Sequence, residues 1–171
     1  MVLNPRKAFE EGLVKGIEGF PAFDPEKQIQ QAGIDIRVAK IFTVHTNIVS
    51  ISETEKPKFD QIYRELYPDA RGMIRLEPGK AYSVDSMEYV KIPHDMSALV
   101  IHRSTSNRIG VLITGANYDP GFEGNIGVTM YVHNLIEIAI GTRIAQILFI
   151  KTDAANNYHG TYQKQKSHVS K

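Results

Sequence analysis

The chain contains no cysteine. This excludes disulfides, thiolate nucleophiles and Cys-ligated zinc, and with them the zinc nucleobase deaminases that depend on a Cys-x-x-Cys pair. Charge of one sign is lacking too: 20 Lys+Arg stand against 19 Asp+Glu, a formal net charge of +1. Such a balance gives no overall electrostatic basis for coating a nucleic acid or a membrane surface, so neither is expected as a partner and any anionic ligand must be held locally. No apolar run approaches the ~20 residues of a membrane-spanning helix. The start, Met1-Val2-Leu3-Asn4-Pro5-Arg6-Lys7, lacks the apolar core of a signal peptide, which points to a cytoplasmic protein. His45, His94, His102 and His133 are scattered without metal-ligand spacing. Neither an internal repeat nor a linker interrupts the 171 residues, of which 42% are hydrophobic. One domain with a sizeable core is the expectation, with 1–20 as an N-terminal helix and lead-in and 151–171 as a C-terminal arm.

What is present reads mainly as β-structure. Asn4 and Pro5 mark a helix start, with Phe9, Leu13 and Val14 on one face and Gly16 as the stop. From Gly33 the pattern changes: Ile34, Ile36 and Val38 alternate with Asp35, Arg37 and Ala39, the signature of a half-buried strand. One inserted helix is predicted over Phe59–Leu66, where apolar residues recur at i, i+3, i+4 and i+7 after Pro57. Short apolar segments follow, punctuated by Pro78-Gly79, Pro93-His94-Asp95, Pro120-Gly121 and Gly141-Thr142. That spacing predicts an all-β domain: a sandwich, a jelly roll or a distorted barrel.

Four segments carry chemistry, and each has a bland reading beside it. Arg103-Ser104-Thr105-Ser106-Asn107-Arg108 follows the strand Ala98–Ile101 and offers hydroxyl and N–H donors between two arginines, either for an anion or as a helix cap with solvated arginines. Asp119-Pro120-Gly121 is a good tight turn closing a hairpin whose first arm is Ile113-Thr114-Gly115, with Phe122 as a core aromatic; its carboxylate is also suited to orienting a water. Asp35 reads in isolation as an ordinary exposed acid. Gln146 is polar inside an apolar strand and needs a partner, from backbone or from ligand. The arm from Lys151, with Lys164, Lys166, Lys171, His159 and His168 against the single acid Asp153, is by composition either a loose end or a basic, aromatic-dotted lid.

Taken in order, these segments resemble the trimeric dUTPase and dCTP deaminase superfamily. Ala32-Gly33-Ile34-Asp35-Ile36 resembles its first motif, Ala-Gly-x-Asp-Leu, and Arg103-Ser104-Thr105 its second. Asp119 through Gly124 is similar to the third, and Gly141-Thr142-Arg143-Ile144-Ala145-Gln146-Ile147-Leu148-Phe149 matches the fourth, Gly-x-Arg-Ile-Ala-Gln-x-x-Phe. The glycine-rich fifth motif of the common diphosphatases is absent; Tyr158-His159-Gly160-Thr161-Tyr162-Gln163-Lys164-Gln165 resembles the deaminase-type tail instead.

The resemblance implies a distorted jelly-roll or β-barrel, a homotrimer with active sites between subunits, and Mg²⁺ held mainly by a triphosphate. It is nearest the archaeal-type hydrolase branch and implies cleavage of dUTP to dUMP and pyrophosphate. Asp119 would activate the water attacking the α-phosphate, assisted by Arg108. Arg103, Ser104, Thr105 and Gln146 would bind phosphates, backbone groups from Ile113 through Asn117 to Tyr118 would read uracil, and Phe122 would pack under the deoxyribose in place of the usual Tyr. Tyr158, Tyr162 and Gln165 would close as a lid, and Asp35 would be an outer-sphere metal contact. Deamination of dCTP is the alternative, alone or combined with hydrolysis. It is disfavoured because Thr129 stands where the deaminases carry a Glu, and a hydroxyl has no usable pKa for relaying the proton. A dUTP-binding regulator without turnover is a third reading.

Overall fold

The computed structural model describes residues 1–45, 49–54, 57–153 and 156–167, so residues 154, 155 and 168–171 of the arm, including His168 and Lys171, lie outside the described residues. The chain runs α1 (Pro5–Glu10), β1 (Val14–Gly16), α2 (Pro25–Gln28), β2 (Ile34–Val44), α3 (Phe59–Ile62), β3 (Tyr63–Leu66), β4 (Met73–Leu76), β5 (Lys80–Lys91), β6 (Met96–His102), α4 (Ser104–Arg108), β7 (Val111–Thr114), β8 (Asn117–Tyr118), β9 (Glu123–Val132), β10 (Ile136–Ala139) and β11 (Arg143–Lys151). Among the described residues, no helix is long and apolar enough to cross a membrane.

All strand pairs are antiparallel, and the main path is β7-β9-β5-β2-β11-β6-β8, with β1 added on β5 and β3 on β2. The two outermost strands of this path, β7 and β8, are consecutive in the chain, and only Gly115 and Ala116 separate them. A two-residue link spans too little to join opposite edges of an open sheet, so the sheet must curl until its edges nearly meet. This is the barrel-like fold expected from the sequence. At the link the backbones are so close that a Cβ on Gly115 would lie 2.5 Å from Val100 Cβ and 3.0 Å from Val100 O, so only glycine fits. β4 and β10 form a separate two-stranded ribbon. The core is one apolar cluster built by Ile34, Ile36, Ile41, Val84, Ile126, Val128, Ile147 and Phe149 with their neighbours.

Four sequence expectations change. α1 starts as predicted, with Asn4 Oδ1 accepting from the N–H groups of Arg6 and Lys7 at 2.9 and 3.3 Å. It stops at Glu10, not Gly16: Gly12 and Leu13 bond back to the carbonyls of Phe9 and Ala8, a Schellman-type closure, and Val14–Gly16 joins β5 as a strand. The helix predicted over Phe59–Leu66 is one turn, after which Tyr63–Leu66 pairs with Ile41–Val44. The edge of β2 offers those residues a ladder of hydrogen bonds, and this non-local pairing outweighs their helical periodicity. The predicted hairpin is also interrupted. β7 does pair with β9, up to Thr114↔Thr129, but β8 crosses to β6 before the Asp119–Phe122 turn.

β2 is not half-buried either. Asp35 is fully buried and Arg37 nearly so, because residues 22–28 cover that face. There Glu88, fully buried, accepts from Arg37 Nε at 2.7 Å, Arg37 N–H at 2.8 Å and Gln28 Nε2 at 2.9 Å. Gln28 Nε2 also bonds Asp35 O, and Arg37 Nη1 bonds Ala22 O. Burial holds the Glu88 carboxyl above the ordinary glutamate value, against the opposing pull of its bonds to Arg37. Glu88→Gln leaves the buried guanidinium without its counter-charge and is expected to destabilise the fold by about 3–5 kcal/mol, measurable by urea denaturation.

Candidate active site at the barrel seam

Where β8 leaves the seam, a pocket of about 290 Å³ opens, walled by Phe59, Tyr118, Phe122, Tyr158 and Tyr162 and edged by Ala116, Asn117, Asp119, Gly127 and Gln165. Seven of the residues singled out from sequence meet here: Asn117, Tyr118, Asp119, Phe122, Tyr158, Tyr162 and Gln165. Asp119 is exposed at the turn Asp119–Phe122, which closes through Phe122 N–H on Asp119 O at 3.0 Å. Its Oδ1 accepts from Asn117 Nδ2 at 2.8 Å. This contact fixes the carboxylate plane and leaves Oδ2 without a hydrogen-bond partner among the described residues.

Tyr118 is buried and locked to Gly127, its hydroxyl donating to Gly127 O at 2.9 Å and accepting from Gly127 N–H at 3.2 Å. Burial pushes the phenol well above the ordinary tyrosine range, so it stays a neutral structural group. Phe122 lies between two rings, tilted on Tyr118 at 5.3 Å and edge-on to Tyr158 at 5.4 Å.

The arm is seated on this pocket. Tyr158 N–H bonds Pro120 O at 2.7 Å, Lys164 N–H bonds Glu123 O at 2.6 Å, and Asn125 N–H bonds Gln165 O at 2.9 Å. Gln163 reaches across both ways, donating to Gly121 O and accepting from Glu123 N–H. Gly124 makes the seat possible: a Cβ there would meet Phe122 Cζ at 2.8 Å and Gln165 Cγ at 3.2 Å.

The cationic residues stand elsewhere. β6 leads into α4, the helix-cap alternative left open for this segment, and Ser104 and Thr105 are exposed on its first turn, with Arg108 exposed on its last. Ser106 is instead a buried anchor, donating to Ile144 O at 3.1 Å. Arg103, Arg143 and Gln146 converge on Asp35: Arg103 Nε at 3.2 Å and Arg143 Nη1 at 3.1 Å on Oδ2, and Gln146 Nε2 at 2.9 Å on Oδ1. The ordinary exposed acid that Asp35 suggested in isolation is a buried charge hub. Burial raises its pKa, opposed by Gln146 and the two arginines.

Asn117 pairs with Leu99, and Arg103 lies four residues further along the same stretch of chain, about 13 Å at strand rise. Within one chain the carboxylate and the phosphate-type donors thus occupy opposite ends of β6. Ile113 belongs to neither group, its side chain being buried in the core opposite Met130. Phe59, Ala116 and Gly127 line the pocket without having been singled out. Ala116 fell inside the expected base-reading stretch, whereas Phe59 had been assigned to a helix face. Among the described residues, no three His, Asp or Glu side chains gather as a metal cage.

Comparison with known proteins agrees with this architecture. A family profile described as dCTP deaminase-like matches residues 6–152. The sequence is 33% identical over 173 residues to the dCTP deaminase, dUMP-forming, of Persephonella marina, covering 97% of this chain and 93% of that one. It is 37% identical over 139 residues to the deoxyuridine 5'-triphosphate nucleotidohydrolase of Methanocaldococcus jannaschii, covering 81% and 88%. Among solved structures, the dCTP deaminase of Agrobacterium tumefaciens superposes with a TM-score of 0.65 at 22% identity, over 84% of this chain and 44% of that one. A Staphylococcus bacteriophage 80alpha dUTPase mutant with dUpNHpp gives 0.54 at 17% identity, over 86% and 94%. The barrel seam, the turn at Asp119 and the motif order thus have one common explanation: the chain belongs to the dCTP deaminase-like family, whose relatives carry the names of dUTP hydrolases and dCTP deaminases alike.

Proposed function

We propose that the protein hydrolyses dUTP to dUMP and pyrophosphate. One observation carries this reading: Asp119 is the sole carboxylate among the described residues lining the pocket. On β9 the side chain two residues beyond Gly127 on the same face, the position the deaminases use for their Glu, is the exposed hydroxyl of Thr129. Attack on phosphorus needs one carboxylate beside the α-phosphate, and Asp119 supplies it; deamination needs an acid over the base, and that position holds none.

In this mechanism Asn117 orients Asp119, whose open Oδ2 takes the proton of the attacking water as the new P–O bond forms and pyrophosphate leaves. Phe122, held between Tyr118 and Tyr158, packs against the deoxyribose, and backbone groups around Ala116 and Asn117 read the uracil edge. Arg103, Ser104, Thr105, Arg108 and Gln146 bind the phosphates. Asp35 aligns Arg103 and Gln146, and with both its oxygens already engaged, any metal contact from it runs through water. The donor set fits Mg²⁺ carried by the triphosphate, where the ion would neutralise phosphate charge.

The separation of Asp119 from these donors along β6 supports a site completed between copies of the chain, as in a homotrimer. Leu99, Ile101, Leu112 and Tyr131, exposed on strands flanking the seam, offer apolar surface for that contact. The arm, seated over Phe122, serves as the lid.

The Persephonella marina relative, named dCTP deaminase, dUMP-forming, favours a second reading in which dCTP is also consumed. Ammonia release from dCTP separates the two, and none is expected. Asp119→Asn should lower kcat for dUTP by about 100-fold or more while nucleotide binding persists; unchanged pyrophosphate release would remove Asp119 from the mechanism. Gly124→Ala is expected to lift the arm. Trypsin should then cut after Lys164 and Lys166 faster than in wild type, and KM for dUTP should rise at an unchanged unfolding midpoint.

A further inference from the structure

Phe59 belongs to none of the family-like motifs, yet it forms one wall of the pocket. The fold brings it there by fastening the inserted segment to the sheet edge. Val44 pairs with Tyr63, His45 N–H bonds Ile62 O at 3.0 Å, and Tyr63 N–H closes the single helical turn on Phe59 O. The Tyr63 ring backs the Phe59 ring at 6.2 Å with a 30° tilt. Phe59 is half-buried, supported on that side and open on the pocket side. Phe122 occupies a different position, nearly fully buried between Tyr118 and Tyr158. The pocket therefore has a deep aromatic position and a second one at its rim.

We propose that Phe59 is the stacking wall for the nucleobase, a specificity-determining residue contributed by the inserted segment. The identity of the nucleotide rests on the dUTP reading above; the stacking itself does not. A planar pyrimidine laid on this ring gains dispersion and π contact whichever base it is, because every base offers a π face. Phe59 thus selects for a base-bearing ligand over a bare sugar phosphate. The choice between uracil and cytosine falls to the directional groups around Ala116 and Asn117.

The chain has no tryptophan, so Phe59→Trp places a lone indole at the rim. Its emission should be quenched by saturating dUMP and dCMP alike, and not by 2-deoxyribose 5-phosphate. Phe59→Ala should raise KM for dUTP by about 5- to 100-fold with kcat little changed, at an unfolding midpoint close to wild type. An indole insensitive to both nucleotides, in a Phe59→Trp enzyme that still hydrolyses dUTP, overturns the stacking role, as does quenching by the base-free sugar phosphate. Quenching by dUMP in a protein that releases no pyrophosphate from dUTP upholds the stacking role and rejects the hydrolase reading instead.

Discussion

The closure of the sheet through Gly115 and Ala116 is the constraint on which the site depends. With so short a link between β7 and β8, the outer edges of the sheet path must meet, and the meeting cannot be smooth. β8 pairs with β6 for only two residues before the chain turns at Asp119 and returns as β9. Backbone that leaves one ladder before entering another has groups and side chains facing outward, and the pocket occupies that interruption. A side chain at position 115 would push β6 away and open the seam, so the glycine acts on the site without lining it.

A second layer of order comes from buried charge. Glu88, Arg37 and Gln28 tie β5, β2 and α2 together, and Gln28 passes the constraint to Asp35 by bonding its carbonyl. Asp35 in turn holds Arg103, Arg143 and Gln146. Such networks add little net stability, since desolvation offsets most of the attraction, but they allow few alternative arrangements. Long, flexible side chains are thereby held in one geometry, which in the proposed reading would lower the entropy cost of binding an anion.

How far the sequence revealed this depended on whether the cause was local. The turn at Asp119, the start of α1 and the strand running into α4 are set by residues adjacent in the chain, and each was legible. The burial of Asp35 was not, because its partners lie 108 and 111 residues away in sequence at Arg143 and Gln146 and nothing in the alternation around Ile34 announces them. The one-turn α3 was misread as a longer helix for the same reason: Phe59, Ile62, Tyr63 and Leu66 have helical spacing, and only the free edge of β2 decides that the last two become strand. Phe59 carries no sign of a pocket residue for the same reason, since on a regular helix it would belong to the buried stripe.

The separation of charges along β6 has a consequence for reactivity. A carboxylate that is to take a proton from water must not be neutralised in advance by a neighbouring cation. In this chain Arg103 and Arg143 are instead engaged by Asp35, while among the described residues Asp119 meets only the neutral amide of Asn117. An arginine packed directly on Asp119 would stabilise its charged form and weaken it as a base. In the proposed reading, the acid stands at one end of the strand and the phosphate donors at the other, each with its own partner. A bound triphosphate would, in the same proposed reading, be what brings arginine and carboxylate into one field.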